Sequence, residues 1–148
     1  VGKHTLSRNT GMSEDEAQTL LDAFWSRNWS VEKVSKDART RSVGGHTWLY
    51  NPVSRFWYSL RSDKDRFSTL NQGTGVFCFD SWVQYCRGFL LKTIGQFHDE
   101  VIVLVPEGEE QDTEKKMKTA IELLNEELSL NVPLGIDAQF GSTYADIH

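Results

Sequence analysis

Five apolar residues in a row, Val101-Ile102-Val103-Leu104-Val105, follow two adjacent carboxylates, Asp99 and Glu100. Four of the five are β-branched, a composition that favours a strand. Apolar side chains in both registers predict a strand covered on both faces. Gly95 supplies a turn just upstream, so the carboxylates fall at the mouth of a buried strand. Ionised carboxylates are costly to bury unless a cation neutralises them. Hard oxygen donors suit Mg²⁺, which takes one or two protein carboxylates and keeps places for phosphate and water. The stretch is a candidate site for metal-assisted phosphoryl transfer. Taken by itself, an Asp-Glu pair is more often an ordinary strand start, solvated at its rim.

The 148 residues suffice for a compact domain with a real core. No apolar run is long enough to span a membrane, and no secretory signal pattern is present. A chain that begins at Val1 rather than Met reads as a fragment or a processed product. Cys78 and Cys86 fall about 12 Å apart along a helix axis and on different faces, too far for a disulfide. They read as reduced core cysteines in a cytoplasmic setting. The net charge of −5 at first argues against nucleic acid, but it is unevenly spread. Residues 107–127 carry eight acids against three lysines, whereas residues 27–66 carry nine bases against four acids. A basic half and an acidic half suit a protein that holds a phosphate backbone on one side only.

Residues 3–9 form a short helix stopped by Gly11. Ser13 opens a capping box with Glu16, and Ala17, Leu20, Leu21, Phe24 and Trp25 mark an amphipathic helix over 14–28. Trp29 to Asp37 continues as a second helix. Gly44-Gly45 breaks the pattern. The aromatic-rich runs 46–50 and 55–60, separated by Asn51-Pro52-Val53-Ser54, read as a β-hairpin. Trp48, Tyr50, Phe56, Trp57 and Tyr58 offer rings for stacking bases, although strands favour aromatics anyway and hairpin core is the plainer reading. Residues 65–91 form a long helix with two apolar stripes, hence a central one. Gln72 lies on the second stripe, in apolar company, and needs a partner. Gly73 and Gly75 beside it permit close approach. After the strand at Asp99 comes a helix over 112–130, with Met117, Ile121, Leu124 and Leu128 inward, and a final strand over 134–140. The order gives an α+β fold.

His98-Asp99-Glu100 before an apolar strand resembles motif C of the family A (Pol I-like) DNA polymerases. Leu70-Asn71-Gln72-Gly73-Thr74-Gly75 resembles the glutamine-bearing helix that precedes that motif. Val132-Pro133-Leu134 and Tyr144-Ala145-Asp146-Ile147-His148 resemble the family's closing strand and terminal histidine. Val1-Gly2-Lys3 to Thr10-Gly11-Met12-Ser13 is similar to the segment just past its nucleotide-binding fingers helix. The likeness runs over nearly the whole chain, in order, and the pattern is most similar to phage-type members.

The resemblance implies the C-terminal part of a DNA-directed DNA polymerase. It implies a palm fragment in which a short antiparallel sheet carries the His-Asp-Glu strand against several helices. Residues 1–45 would be a helical fingers-side segment, 46–61 the hairpin, and 62–148 the palm with motif C and a C-terminal strand. Asp99 would be the metal ligand. Glu100 and His98 would assist, Glu100 at a metal-bound water and His98 near the primer terminus. Two Mg²⁺ ions would serve the complete enzyme. Gln72 would contact the primer-template in the minor groove. Two positions depart from the pattern: Lys64 and Ser68 stand where bacterial members carry Arg and Asn, with Arg66 and Asn71 nearby in another register. The first metal-bridging Asp and the triphosphate-holding residues belong upstream of Val1, so activity needs that upstream part, besides primer-template DNA and a dNTP. A catalytically silent nucleic-acid-binding module and a fragment of a single-subunit RNA polymerase are the alternatives. The latter usually carry Ser after His-Asp, so Glu100 favours DNA synthesis.

Overall fold

A computed structural model describes residues 2–147; Val1 and His148, which belong to segments of the family resemblance, lie outside the described residues. The chain is mixed α+β and divides into two compact units. The division falls inside one long helix, after Asn71.

The first unit opens with α1 (Lys3–Thr10), ended by Gly11 in the left-handed conformation at φ 77°. Its amide donates to the Ser7 carbonyl, the helix-ending bond that glycine permits at no steric cost. Ser13 then starts α2 (Glu14–Arg27) through the expected capping box: its hydroxyl accepts from the Glu16 amide, and the Glu16 carboxylate accepts from the Ser13 amide. The Ser13 amide and hydroxyl, both donating to that carboxylate, hold the Glu16 carboxyl below its ordinary pKa. Ser13→Ala is expected to lower stability by about 1 kcal/mol, measurable as a shift of the urea midpoint with unchanged slope. The apolar stripe of α2 behaves otherwise than its spacing suggests. Ala17 is buried, but Leu20, Phe24 and Trp25 are exposed, as are Trp29 and Val34 on α3 (Trp29–Asp37). The periodicity correctly gives a helix; most of its apolar face is exposed among the described residues.

A strand absent from the sequence reading follows: β1 (Thr40–Val43), paired antiparallel with β2 (His46–Tyr50) across the Gly44-Gly45 turn. Both glycines have positive φ, 59° and 77°, as a two-residue hairpin loop requires. β2 pairs in turn with β3 (Trp57–Leu60), giving a three-stranded meander. Leu49 and Leu60 point to its covered face and are buried. Asn51, fully buried at the end of β2, donates from its side-chain amide to the Leu70 carbonyl at 3.1 Å, and its backbone closes the loop with Phe56 and Arg55. A 3-10 turn at Asp63–Asp65 leads into α4 (Arg66–Gly88).

The second unit holds most of α4, an antiparallel hairpin of β4 (Lys92–Phe97) and β5 (Glu100–Leu104), and α5 (Glu110–Leu128). Its core is built where α4 and α5 face each other: Cys78, Trp82, Val83 and Cys86 from one, Met117, Ala120, Ile121 and Leu124 from the other. The Trp82 indole donates to the Met117 carbonyl at 3.2 Å, so a buried ring keeps its polar atom satisfied. The two cysteines, expected on different faces, enter this one core as free thiols. Eight residues on a helix turn only about 80°, within the width of one apolar face. Burial pushes the Cys86 thiol up to about 11, so at neutral pH it is a protonated core group rather than a nucleophile.

The final strand expected over 134–140 is absent; among the described residues this segment joins no sheet. Leu134 and Ile136 do pack on the core at the alternation of a strand, but the backbone is held by a side chain. Asn125 of α5 donates to the Leu134 carbonyl and accepts from its amide, both at 2.8 Å. The described residues end in a 3-10 turn, Tyr144–Ile147, with the Asp146 carboxylate accepting from the Thr143 amide and hydroxyl.

Candidate functional site

The hairpin places the candidate residues differently from the sequence reading. Phe97 pairs with Glu100, so His98 and Asp99 are the two loop residues of a tight turn, and Glu100 is the first residue of β5. Gly95 lies inside β4, at a bulge: Thr93 faces Val103 and Gly95 faces Ile102, leaving Ile94 as the extra residue. A Cβ there would meet the Phe97 ring at 3.1 Å and Ile102 at 3.4 Å. The glycine thus serves close packing at the bulge and not the turn.

His98 takes the turn's positive φ, 49°, a conformation in which a histidine is more readily accepted than most side chains. His98 and Asp99 are exposed, and Glu100 is half-buried. The strand is covered on one face only. Val101 and Val103 pack on the helical core, whereas Leu104 on β5, with Ile94 and Phe97 on β4, is exposed. A two-stranded sheet with helices on one side leaves its other face open, which overturns the expectation of a strand covered on both.

The hairpin is tied to α4 by a polar contact that the sequence reading missed. The Gln96 side-chain amide donates to Asp80 Oδ1 at 3.1 Å. Because α4 ends at Gly88 and β4 begins at Lys92, this contact makes β4 run back along the helix. The turn lies two to three residues past Gln96, about 7–10 Å farther. Gln72 lies two helical turns before Asp80, about 12 Å along the axis and about 80° around it. The His98-Asp99 turn therefore comes roughly level with the Gln72 end of this unit's helix, on a neighbouring side of it.

Gln72 is exposed, not buried among apolar residues. Gly75 and Val76, of the same stripe, are exposed too, and a Cβ on Gly75 would meet nothing within 4 Å. The second stripe reaches the core at Phe79, which packs against it, and enters it at Val83. Arg66, Lys64 and Asn71, also proposed to touch nucleic acid, belong to the first unit. Arg66 is held locally: its Nε and Nη2 donate to Asp63 Oδ1 at 3.2 and 2.9 Å. Lys64 and Asn71 are exposed.

For Mg²⁺ the donor chemistry fits. Asp99 in the turn and Glu100 at the start of β5 offer carboxylate oxygens, the donor type Mg²⁺ takes, and Mg²⁺ needs few protein ligands. Among the described residues no group of three or more His, Cys, Asp or Glu side chains is arranged as a metal cage. No helix among them is long and apolar enough to cross a membrane. No family model and no curated protein matches the chain.

Proposed function

We propose that this chain is the C-terminal part of a DNA-directed DNA polymerase of family A type, a palm fragment that contributes Asp99 to a two-metal nucleotidyl-transfer site. The observation that carries the reading is the exposed His98-Asp99 turn, on a hairpin that the Gln96–Asp80 contact aligns along the helix bearing Gln72. When bound, Mg²⁺ would stabilise charge on the attacking primer hydroxyl and on the leaving phosphate oxygen. Asp99 would hold that ion and Glu100 a water on it. His98 would orient the primer terminus, and Gln72 would donate to the minor-groove edge of the primer-template.

Exposed apolar residues on α2 and α3, and Leu104 on β5, fit a chain that packs against a further polypeptide. The upstream part of the polymerase, with the other metal-bridging Asp and the dNTP-holding residues, is the partner this reading requires. The reading places the protein in the cytoplasm, that of the host if it is phage-encoded.

Primer extension tests it. The chain alone is expected to incorporate no nucleotide, and addition of the upstream part to give template-directed synthesis. Robust incorporation by the chain alone, free of contaminating polymerase, or none by the assembled protein, would count against the proposal.

Gln72→Ala is expected to weaken primer-template binding by the assembled enzyme about 3- to 10-fold, the worth of one hydrogen bond, without a change in melting temperature. An exposed side chain leaves no buried partner unpaired, so a larger loss would mean a different role. Equilibrium binding to a hairpin primer-template measures it.

A further inference from the structure

The outer face of the three-stranded sheet carries a second arrangement suited to a ligand. Strand register puts Arg41 opposite Trp48, and Trp48 opposite Ser59. It also puts Tyr50 opposite Trp57, with the Tyr50 amide donating to the Arg39 carbonyl. Directly opposed residues share a face. Arg39, Arg41, Trp48, Tyr50 and Trp57 therefore stand together, while Leu49, Tyr58 and Leu60 lie on the other, covered face.

The guanidinium groups lie over the rings. The Tyr50 and Trp57 centroids are 5.1 Å apart. The Arg41 guanidinium lies 4.1 Å from the Trp57 centroid, and that of Arg39 lies 5.3 Å from Trp57 and 5.6 Å from Tyr50. Among the described residues neither guanidinium has a carboxylate partner, and both arginines are exposed. Residues 38–62 contain four arginines and no Asp or Glu. The buried leucines of the opposite face already hold the sheet, so these aromatics are not needed as its core.

We infer that this face binds single-stranded nucleic acid, with bases stacked on Trp48, Tyr50 and Trp57 and phosphates held by Arg39 and Arg41. Trp48 and Tyr50, two residues apart, are about 7 Å apart along the strand, room for successive bases of an extended strand. Stacking on a π-face is indifferent to base identity, and arginine adds both charge and stacking. A duplex hides its base faces and gains only the charge. The inference does not depend on metal at Asp99, since none of these residues belongs to that site.

Fluorescence anisotropy of the 148-residue chain with a labelled oligo-dT, in EDTA, tests it separately from the polymerase reading. Expected are binding at low salt and binding of a blunt duplex of equal length about tenfold weaker. Trp57→Ala is expected to lose about tenfold or more, and Trp57→Phe, which keeps a stacking ring, to stay within about threefold. Arg41→Gln changes an exposed side chain, so it decides the matter even where Trp57→Ala fails to fold. It is expected to weaken binding and to flatten the slope of log K against log salt by about 0.7, the share of one single-strand phosphate. No binding, equal binding of duplex, affinity unchanged in a folded Trp57→Ala variant, or affinity and salt slope both unchanged in Arg41→Gln would overturn the inference.

Discussion

Asp99→Asn is expected to lower single-turnover nucleotide incorporation by the assembled enzyme about a thousandfold or more at saturating Mg²⁺, with the melting temperature unchanged. The substitution keeps the shape of the side chain and removes its charge. A metal that stabilises both the attacking and the leaving oxygen is worth several kcal/mol, and each 1.36 kcal/mol is about tenfold in rate. The fold should not respond, because Asp99 is an exposed loop residue of a two-residue turn. The backbone pairing of Phe97 with Glu100 on either side of it asks nothing of its carboxylate.

Glu100→Gln provides the internal comparison. Glu100 is half-buried at the first position of β5, and the proposed role passes through a water, which an amide can still hold. Its loss is expected to be about tenfold. If Asp99→Asn turned over at a near-normal rate, Asp99 would not be the metal ligand and most of the proposed function would go with it. If Glu100→Gln were the more damaging of the two, the lead ligand would be Glu100.

Features specified by near neighbours were legible in the amino-acid sequence. Gly11 ends α1 because only the left-handed conformation closes the helix there, and Ser13 with Glu16 caps α2 through bonds three residues apart. The inward stripe Met117, Ile121, Leu124 of α5 follows from helical period alone. What escaped depended on partners distant in the chain. β1, Thr-Arg-Ser-Val, has a mostly exposed, polar composition and is a strand because β2 lies beside it. The turn was assigned to Gly95, the residue that looks like a turn former, whereas the chain reverses at His98-Asp99 and uses the glycine for a bulge. Residues 134–140 have the alternation of a strand but meet the Asn125 side chain instead of a neighbouring strand. Gln72 and the stripe of α2 show the same limit from the other side, since periodicity tells which residues share a face and not whether anything covers it. Of the candidate site, the order His98-Asp99-Glu100 and the helix bearing Gln72 were legible; the Gln96–Asp80 contact that aligns them was not, because no local pattern marks a polar pair sixteen residues apart.

Leu124→Ala should cost the second unit about 3 kcal/mol, within the 2–5 kcal/mol typical of truncating a buried leucine. Leu124 has no exposed surface and sits among Trp82, Cys86, Ile121 and the rest of the α4–α5 core. The loss combines the transfer of a side chain out of water with a cavity that two facing helices can close only partly. Its neighbour Leu123 is 38% exposed, so Leu123→Ala removes little buried area and leaves no enclosed void. Its expected cost is below about 1 kcal/mol. Alanine raises helix propensity slightly at both positions, which works against the effect and cannot produce it. Urea unfolding followed through Trp fluorescence reports on this region, because Trp82 belongs to the same core and donates to the Met117 backbone across it. The midpoint should fall sharply for Leu124→Ala and hardly at all for Leu123→Ala. Equal losses from the two adjacent leucines would mean that α5 is not anchored through the face carrying Leu124. The packing that supports β5, and through it the Asp99 turn, would then have to be assigned afresh.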